Sequence, residues 1–288
     1  LIGYIDTSGP HFITLNSVIA YFRFFQLVGP CLFAASERFW PLGSLHQKFV
    51  SYITVIFHLV PIEYRYEAGV YIDIIYIVLV VFYFTLLISS ALVYKTTSKL
   101  PKAVVILIRV FDCSFMFLIH PIALQMASQD VSRLIEGMDT AFPKVATIVI
   151  VALTYVCAFF YFYMFAHIMS ITLIFRPTSM QTTSNVPQLF LFISTYLTTI
   201  ISGVASYLPR IPYVVLTILN AGVMFFTAYI PFLPGSFVKS RNMKLIFTSG
   251  ATGGCFSLII CVFGILDKKA SMAILFISIA IFVIIMIV

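Results

Sequence analysis

Three ionisable residues fall within a stretch of the chain that is otherwise apolar. The stretch IRVFDCSFMFLIHP, residues 108–121, contains Arg109, Asp112 and His120. Arg109 and Asp112 are three residues apart, so on a helix they are neighbours that can form a hydrogen-bonded ion pair. At about 100° per residue, His120 lies within about 20° of Arg109 on the same helix. The spacing therefore predicts one charged stripe that faces protein and not lipid.

Two further residues can complete this intramembrane polar cluster. Asp73 lies near the far end of the preceding apolar segment, and an antiparallel turn at KTTSKLPK would bring it to the depth of His120. Arg23, on the first apolar segment, is an alternative partner for Asp112. Acids, bases and histidine at membrane depth are typical of proton or ion sites. The alternative is ion pairing between helices, with Arg109 extending to the interface.

Other kinds of chemistry have no sequence signal. The chain contains no Ser-His-Asp order, no H-E-x-x-H and no nucleotide-binding glycine fingerprint. The five cysteines, at positions 31, 113, 157, 255 and 261, lack C-x-x-C spacing, which argues against a zinc site or a disulfide framework. We therefore expect no catalytic residue, no metal ligand and no cofactor within these residues.

The elements that must position the polar cluster are transmembrane helices. The chain is 61% hydrophobic and only 9% charged, which is typical of an integral membrane protein. Apolar stretches of about 20 residues recur from end to end, and lipid forces each to satisfy its own backbone polar groups. We predict an all-α polytopic bundle, a single membrane domain over 1–288 with about nine spans. They lie near 12–36, 45–62, 68–94, 103–125, 145–175, 188–208, 213–234, 245–266 and 270–288.

Two segments suggest helices at the membrane surface. The second predicted span is short and contains His58, so a re-entrant or interfacial helix is the alternative there. Segment 126–144 alternates apolar and charged faces at helical spacing, which predicts a short surface helix. Its apolar positions are Val131, Leu134, Ile135 and Met138, and its charged positions are Asp130, Arg133, Glu136 and Asp139.

The net charge of +7 is explained by loop residues that orient the spans. No basic run is longer than two, so nucleic-acid binding is not predicted. With nine spans and the N-terminus outside, nine basic residues lie in inner loops and six in outer loops. The inner ones are Arg38, Lys48, Lys95, Lys99, Lys102, Arg176, Lys239, Arg241 and Lys244; the outer ones are Arg65, Arg133, Lys144, Arg210, Lys268 and Lys269. The loop with Lys239, Arg241 and Lys244 would meet the anionic headgroups of the bilayer, or dock a protein.

A glycine pair indicates close helix packing. Gly250 and Gly254 form G-x-x-x-G at the beginning of an apolar span. This spacing lets helices approach closely and predicts a packing face or a homodimer face.

The layout of the chain resembles a known class of membrane region. The Phe-, Ile- and Tyr-rich spans, ERFWPLGSLHQKF before the short second span, and YIPFLPGSFVKSRNMKLIF late in the chain resemble the multi-pass N-terminal regions of large protist class III adenylyl/guanylyl cyclases. The resemblance implies a cytoplasmic catalytic domain in the same chain, after Val288. Both ends of the sequence agree with a segment of a longer chain, and the metal-binding aspartates of a cyclase domain have no counterpart here.

The resemblance predicts a membrane-anchoring, sensing and dimerising module that regulates such a cyclase domain at the plasma membrane. A stand-alone secondary transporter or a multi-helix receptor is the alternative. The lipid bilayer is the expected partner in both cases.

Overall fold

The structure is a computed structural model, and all the regular secondary structure that it describes is helical. It describes residues 1–9, 18, 22, 25–34, 36, 39–41, 43–58, 60, 64–111, 116–164, 186–233, 240–268, 277 and 280. The helices are α1 (Ile2–Ser8), α2 (Leu45–His58), α3 (Arg65–Thr97), α4 (Lys102–Val110), α5 (Met116–Ile135), α6 (Lys144–Met164), α7 (Val186–Val204), α8 (Arg210–Tyr229) and α9 (Ser240–Ile265). Short 3-10 turns cover Gly29–Leu32 and Ile230–Phe232.

Four helical segments in the described part of the chain are long and apolar enough to cross a membrane. They are Ala68–Thr97, Lys144–Met164, Arg210–Phe232 and Met243–Ile265, and Leu189–Val204 is a shorter apolar helix. The prediction of a helical protein compatible with a membrane is thus supported, whereas the number of nine spans is not confirmed. At 33 residues, α3 is roughly 50 Å long and exceeds the hydrocarbon thickness, so it must tilt or project into the headgroups.

The long helices turn apolar faces outward and polar residues inward. On α3 the buried positions recur every three or four residues and include Arg65, Asp73, Tyr76 and Ser90. Most exposed positions in the middle of α3 are apolar, as in Ile75, Val78, Val81, Ile88 and Leu92. The helices α6 and α8 repeat this arrangement with buried threonines. Because a water-soluble protein shows the opposite distribution, this pattern is compatible with a bundle surrounded by lipid.

Helix α5 lies at the centre of the bundle. It packs against α3, α6 and α7, and α7 in turn packs against α8, which pairs with α9. All residues from 120 to 130 on α5 are buried. The predicted surface helix over 126–144 is therefore wrong for its first half, because residues up to Ile135 continue the central helix. Asp130 and Arg133 are buried there because each satisfies the charge of the other.

Basic residues lie at both ends of the bundle. At the lysine end, which we define by Lys95, Lys99, Lys102 and Lys244, all four lysines are exposed. At the opposite, arginine end, Arg65 and Arg133 are buried, Lys144 and Lys268 are exposed, and Arg210 caps α9. The Nε atom of Arg210 donates to the carbonyl oxygen of Gly264 at 3.1 Å, where the last carbonyls of a helix lack partners of their own.

The N-terminal part of the chain corrects the predicted orientation. Helix α1 lies at the lysine end, because the rings of Tyr4 and Tyr94 are 5.1 Å apart and the N–H of Leu100 donates to the Tyr4 hydroxyl. Val50 instead packs with Tyr213, at the arginine end. The N-terminus and Lys95 are thus at one end and Lys48 is at the other, in contrast to the predicted alternation.

The short helix α2 explains this difference. It has 14 residues, or roughly 21 Å, which is less than the hydrocarbon thickness of about 30 Å. Val50 lies at the arginine end. Val60 also lies there, because its carbonyl oxygen accepts a hydrogen bond from Arg65 Nε at 3.1 Å. The geometry agrees with the re-entrant or interfacial alternative for this segment and not with a full span.

Candidate functional site

Helix α5 carries a row of polar side chains through the middle of the bundle. Because neighbours cover it on all sides, these side chains contact protein and not lipid. They are His120, Gln125, Ser128, Gln129, Asp130, Ser132 and Arg133. Their burial makes α5 the element on which the candidate site is built.

Two buried aspartates face each other between α3 and α5 near the arginine end. Asp73 on α3 is 0% exposed and Asp130 on α5 is 2% exposed. The Oδ2 atom of Asp130 is 3.8 Å from the position that a Cβ on Gly69 would take, and Gly69 lies one turn before Asp73. Two buried carboxyl groups placed in this way repel each other when both are ionised. We call Asp73 and Asp130 the acid pair.

Only one member of the acid pair has a basic partner in the described residues. Arg133 Nη1 donates to Asp130 Oδ1 at 3.0 Å, and its Nη2 donates to the Tyr207 hydroxyl at 2.8 Å. The Arg133 guanidinium carbon also lies 4.9 Å from the centre of the Tyr207 ring. Asp130 Oδ2 and both carboxyl oxygens of Asp73 accept no hydrogen bond from any residue that the structure describes. The acid pair therefore has more hydrogen-bond acceptors than it has donors among the described residues.

Other titratable groups surround Asp73 from each helix that packs against it. Tyr76 follows it on α3, Asp130 faces it from α5, and Tyr155 approaches from α6. The hydroxyl groups of Tyr155 and Ser128 form a hydrogen bond of 2.7 Å. Arg65 interacts electrostatically with Tyr207, whose hydroxyl group also accepts a hydrogen bond from Arg133. Three helices thus meet at the acid pair, and a change of its charge would act on all three.

The predicted contact between Asp73 and His120 is not present. The Nδ1 atom of His120 is hydrogen-bonded to the Tyr76 hydroxyl, and the ring lies among aromatic neighbours, with Tyr196 at 4.4 Å between ring centroids. Tyr76 lies three residues after Asp73 on α3, and its hydroxyl group makes the hydrogen bond to His120 that was predicted for the carboxyl group. The Nε2 atom of His120 has no hydrogen-bond partner among the described residues.

The other predicted cluster residues lie elsewhere. Arg109 is buried and its Nε atom donates to the carbonyl oxygen of Ile5 at 3.0 Å, so it anchors α1. Arg109 thus binds α1, whereas His120 binds Tyr76 on α3. Asp112 and Arg23 lie outside the described residues, as does Lys239. Arg241 begins α9 with Ser240, and Lys244 is exposed one turn later.

The glycine pair packs within the chain. A Cβ on Gly250 would meet the backbone of Ala228, and one on Gly254 would lie 2.8 Å from the Phe225 ring. Both contacts are with α8. The face of α9 for which the sequence predicts packing or dimerisation is therefore covered by α8.

Sequence reasoning missed Asp130, Arg133 and Tyr207 as members of a site. Asp130 and Arg133 were assigned to a surface helix because they alternate with apolar residues. Their three-residue spacing, which is the same as that of Arg109 and Asp112, is the signal of an ion pair that allows burial. Tyr207 carries no such signal, since its role depends on the packing of α7 against α5.

The described residues hold no group of three or more His, Cys, Asp or Glu side chains that could bind a metal ion. Comparisons with protein-family models, with curated proteins and with solved structures found no match for the chain.

Proposed function

We propose that the chain is a multi-pass protein of the plasma membrane in which the acid pair takes up and releases a proton, and that this step drives secondary transport. The observation that carries the proposal is the burial of three carboxyl oxygens, two on Asp73 and one on Asp130, without a donor from the described residues.

A buried carboxylate without donors is costly. On insertion scales a charged side chain costs about 2.5–3.5 kcal/mol at the helix centre, whereas the acid pair lies near the arginine end. Arg133 offsets the charge of Asp130 but makes no hydrogen bond to Asp73. A proton on Asp73 removes one of two like charges. Proton binding therefore lowers the electrostatic cost of burying the acid pair with no further protein group.

The position of the acid pair gives proton binding a mechanical consequence. Asp73 belongs to α3 and Asp130 to α5, so loss of the proton places two negative charges across the contact between these helices. Tyr207 beyond α7 is joined to Asp130 through Arg133, and Tyr155 on α6 is hydrogen-bonded to Ser128, two residues before Asp130 on α5. Repulsion between the two carboxylates would favour separation of α3 from α5. The contact between these helices would then have two states, closed with the proton and open without it, as coupled transport requires.

Infrared difference spectroscopy of the purified protein in lipid nanodiscs tests the proposal. We expect a protonated-carboxyl band whose amplitude changes between acidic and alkaline buffer, and we expect it to disappear in Asp73→Asn. The control is Asp139→Asn, since Asp139 is exposed beyond the end of α5. A spectrum without a titrating carboxyl band that depends on Asp73 would show that the pair is a fixed link between helices.

Transport is tested separately in proteoliposomes with an imposed pH gradient. We expect uptake of the transported solute to follow the gradient in the unmodified protein and to stop in Asp73→Asn, while the amount of folded protein is unchanged. Gradient-independent uptake in both proteins would contradict proton coupling.

The role as a sensing module of a cyclase remains a prediction from the layout of the sequence. The contacts described above do not bear on it. The full-length chain decides it: a cyclase domain after residue 288 would support this role, and a chain that ends shortly after it would exclude the role.

A further inference from the structure

A second polar region lies around the 3-10 turn at Gly29–Leu32. The turn is buried, and it is followed by Phe33 with a left-handed φ of 45°. Pro30 has no N–H group, so the helical hydrogen bond that would begin there cannot form. Broken backbone of this kind is tolerated inside a membrane protein only where protein or a polar cavity surrounds it.

Side chains from four helices converge on this turn. From α7, Ser202 Oγ donates to the carbonyl oxygen of Pro30 at 2.7 Å. From α5, Gln125 Nε2 donates to Ser202 Oγ at 3.4 Å. From α8, Asn220 Nδ2 lies 2.8 Å from Ser257 Oγ on α9 and 3.4 Å from Cys31 Sγ in the turn itself. Polar contacts at the turn thus link α5 and α7 with α8 and α9.

Three amide side chains around the turn each use their nitrogen and leave their oxygen unpaired. Gln26, one turn before Pro30, donates to the carbonyl oxygen of Leu118 at 2.7 Å, and its Oε1 atom has no partner among the described residues. The same holds for Gln125 Oε1 and Asn220 Oδ1. Gln125 is 3% exposed and Asn220 is 0% exposed. A buried amide oxygen without a donor is unfavourable, so three such oxygens around one turn favour a ligand that carries positive charge.

The chemistry of these oxygens selects the class of ligand. The polar groups described at the turn are amides, hydroxyl groups, a thiol and backbone carbonyls, and all of them are uncharged. Calcium and magnesium sites in proteins are built with carboxylates. Unwound backbone carbonyls at mid-membrane depth, in contrast, coordinate sodium ions in transporters with broken helices. Neutral oxygen ligands therefore favour a monovalent cation over a divalent one.

We propose that the turn site, which we define by Gln26, Pro30, Gln125, Ser202 and Asn220, binds an alkali metal cation. This inference stands apart from the acid pair, because none of its five residues belongs to that pair. The two sites share helix α5, on which Gln125 and Asp130 are separated by a rise of roughly 7.5 Å. A cation at the turn would hold α5, α7 and α8 together near the place where the acid pair acts on α3 and α5.

Thermal unfolding in different chloride salts tests the turn site. The purified chain is measured in sodium, potassium and N-methylglucamine chloride at equal ionic strength. We expect sodium or potassium to raise Tm by about 2–4 °C over N-methylglucamine at about five times Kd. The salt that gives the larger shift identifies the preferred cation. Equal Tm values in all three salts would overturn the proposal.

Site variants test whether the cation-dependent shift of Tm arises at the turn site. Asn220→Leu and Gln125→Leu should abolish the cation-dependent shift, and Ser202→Ala, which removes only a hydroxyl group, provides the same test if either larger change prevents folding. Thr227→Ala is the matched control, because Thr227 is a buried residue of α8 that donates to its own helix, to the carbonyl oxygen of Val223. A shift that survives in all three site variants would also overturn the proposal.

The acid pair and the turn site can fail independently. Asp73→Asn should keep the full cation-dependent shift while it loses the titrating carboxyl band. If the band is absent from the unmodified protein but the cation-dependent shift is present, proton coupling is wrong and the turn site stands.

Discussion

Asp130 lies against Gly69, with its Oδ2 atom 3.8 Å from the position that a glycine Cβ would take and one helical turn from Asp73. The absence of a side chain on Gly69 lets α5 bring a carboxyl group up to α3. The same carboxyl group is bound on its other oxygen by Arg133. The two aspartates thus have different surroundings although they are neighbours.

This difference predicts unequal effects of neutralising the two acids. Asp130→Asn leaves the buried Arg133 without its charge partner and should lower the free energy of unfolding by about 3–5 kcal/mol. Asp73→Asn removes a carboxyl group that has no described donor, and it should change the free energy of unfolding by less than about 1 kcal/mol. Unfolding of both variants in the same detergent measures the difference. Gly69→Ala is the control, since its new Cβ makes only ordinary contacts. Equal losses in the two asparagine variants would show that Asp73 has a partner of its own.

The hydrogen bond between Tyr76 and His120 should contribute to stability. Tyr76→Phe leaves the Nδ1 atom of a buried imidazole without this partner, and we expect a loss of about 1–3 kcal/mol in the free energy of unfolding. Tyr71→Phe is the matched control, because Tyr71 lies on the exposed face of the same helix. If both variants unfold alike, the bond is not formed in the membrane.

The glycines of α8 and α9 should respond oppositely to an added methyl group. Gly250→Ala directs a Cβ into the backbone of Ala228, which cannot move without shifting a helix, and we expect a loss of about 1–3 kcal/mol. Gly222→Ala has nothing within 4 Å and should be neutral or gain up to about 1 kcal/mol. The free energy of unfolding distinguishes them.

This result also bears on the predicted homodimer. Replacement of Gly250 and Gly254 by leucine would break the contact with α8 first, so a lower dimer fraction would follow from loss of the monomer fold. A dimer that persists in Gly250→Ala would show that α9 dimerises through another face.

Cysteine labelling checks the arrangement of the two ends. In a variant whose five cysteines are replaced by alanine, Lys99→Cys and Lys244→Cys should react with a membrane-impermeant reagent from one side, and Lys144→Cys and Lys268→Cys from the other. Lys48→Cys should react together with Lys144→Cys, because Trp40 and Val50 pack at the arginine end. Reaction of Lys48→Cys together with Lys99→Cys would restore the alternation predicted from the sequence.

The sequence alone predicts which residues are buried better than it predicts their partners. A charge in an apolar stretch is costly in lipid, so Asp73, Arg109 and His120 must turn inward, and all three are buried. Their partners depend on how far each helix extends and on how distant helices are aligned. On α3, His120 bonds to Tyr76, three residues after Asp73, and Asp130 lies against Gly69, four residues before it. The amphipathic spacing of 126–144 fits a surface helix as well as a central one, since an ion pair can hide its charged face.

The polarity of α5 has a consequence for the biogenesis of the protein. A nascent helix leaves the translocon sideways only when its partition into lipid is favourable, and Asp and Arg residues oppose this partition. Helix α5 carries both, together with two glutamines and a histidine. We therefore expect its membrane insertion to wait for α6, so that the ribosome must deliver the hairpin as a unit onto an α3 that is already in place.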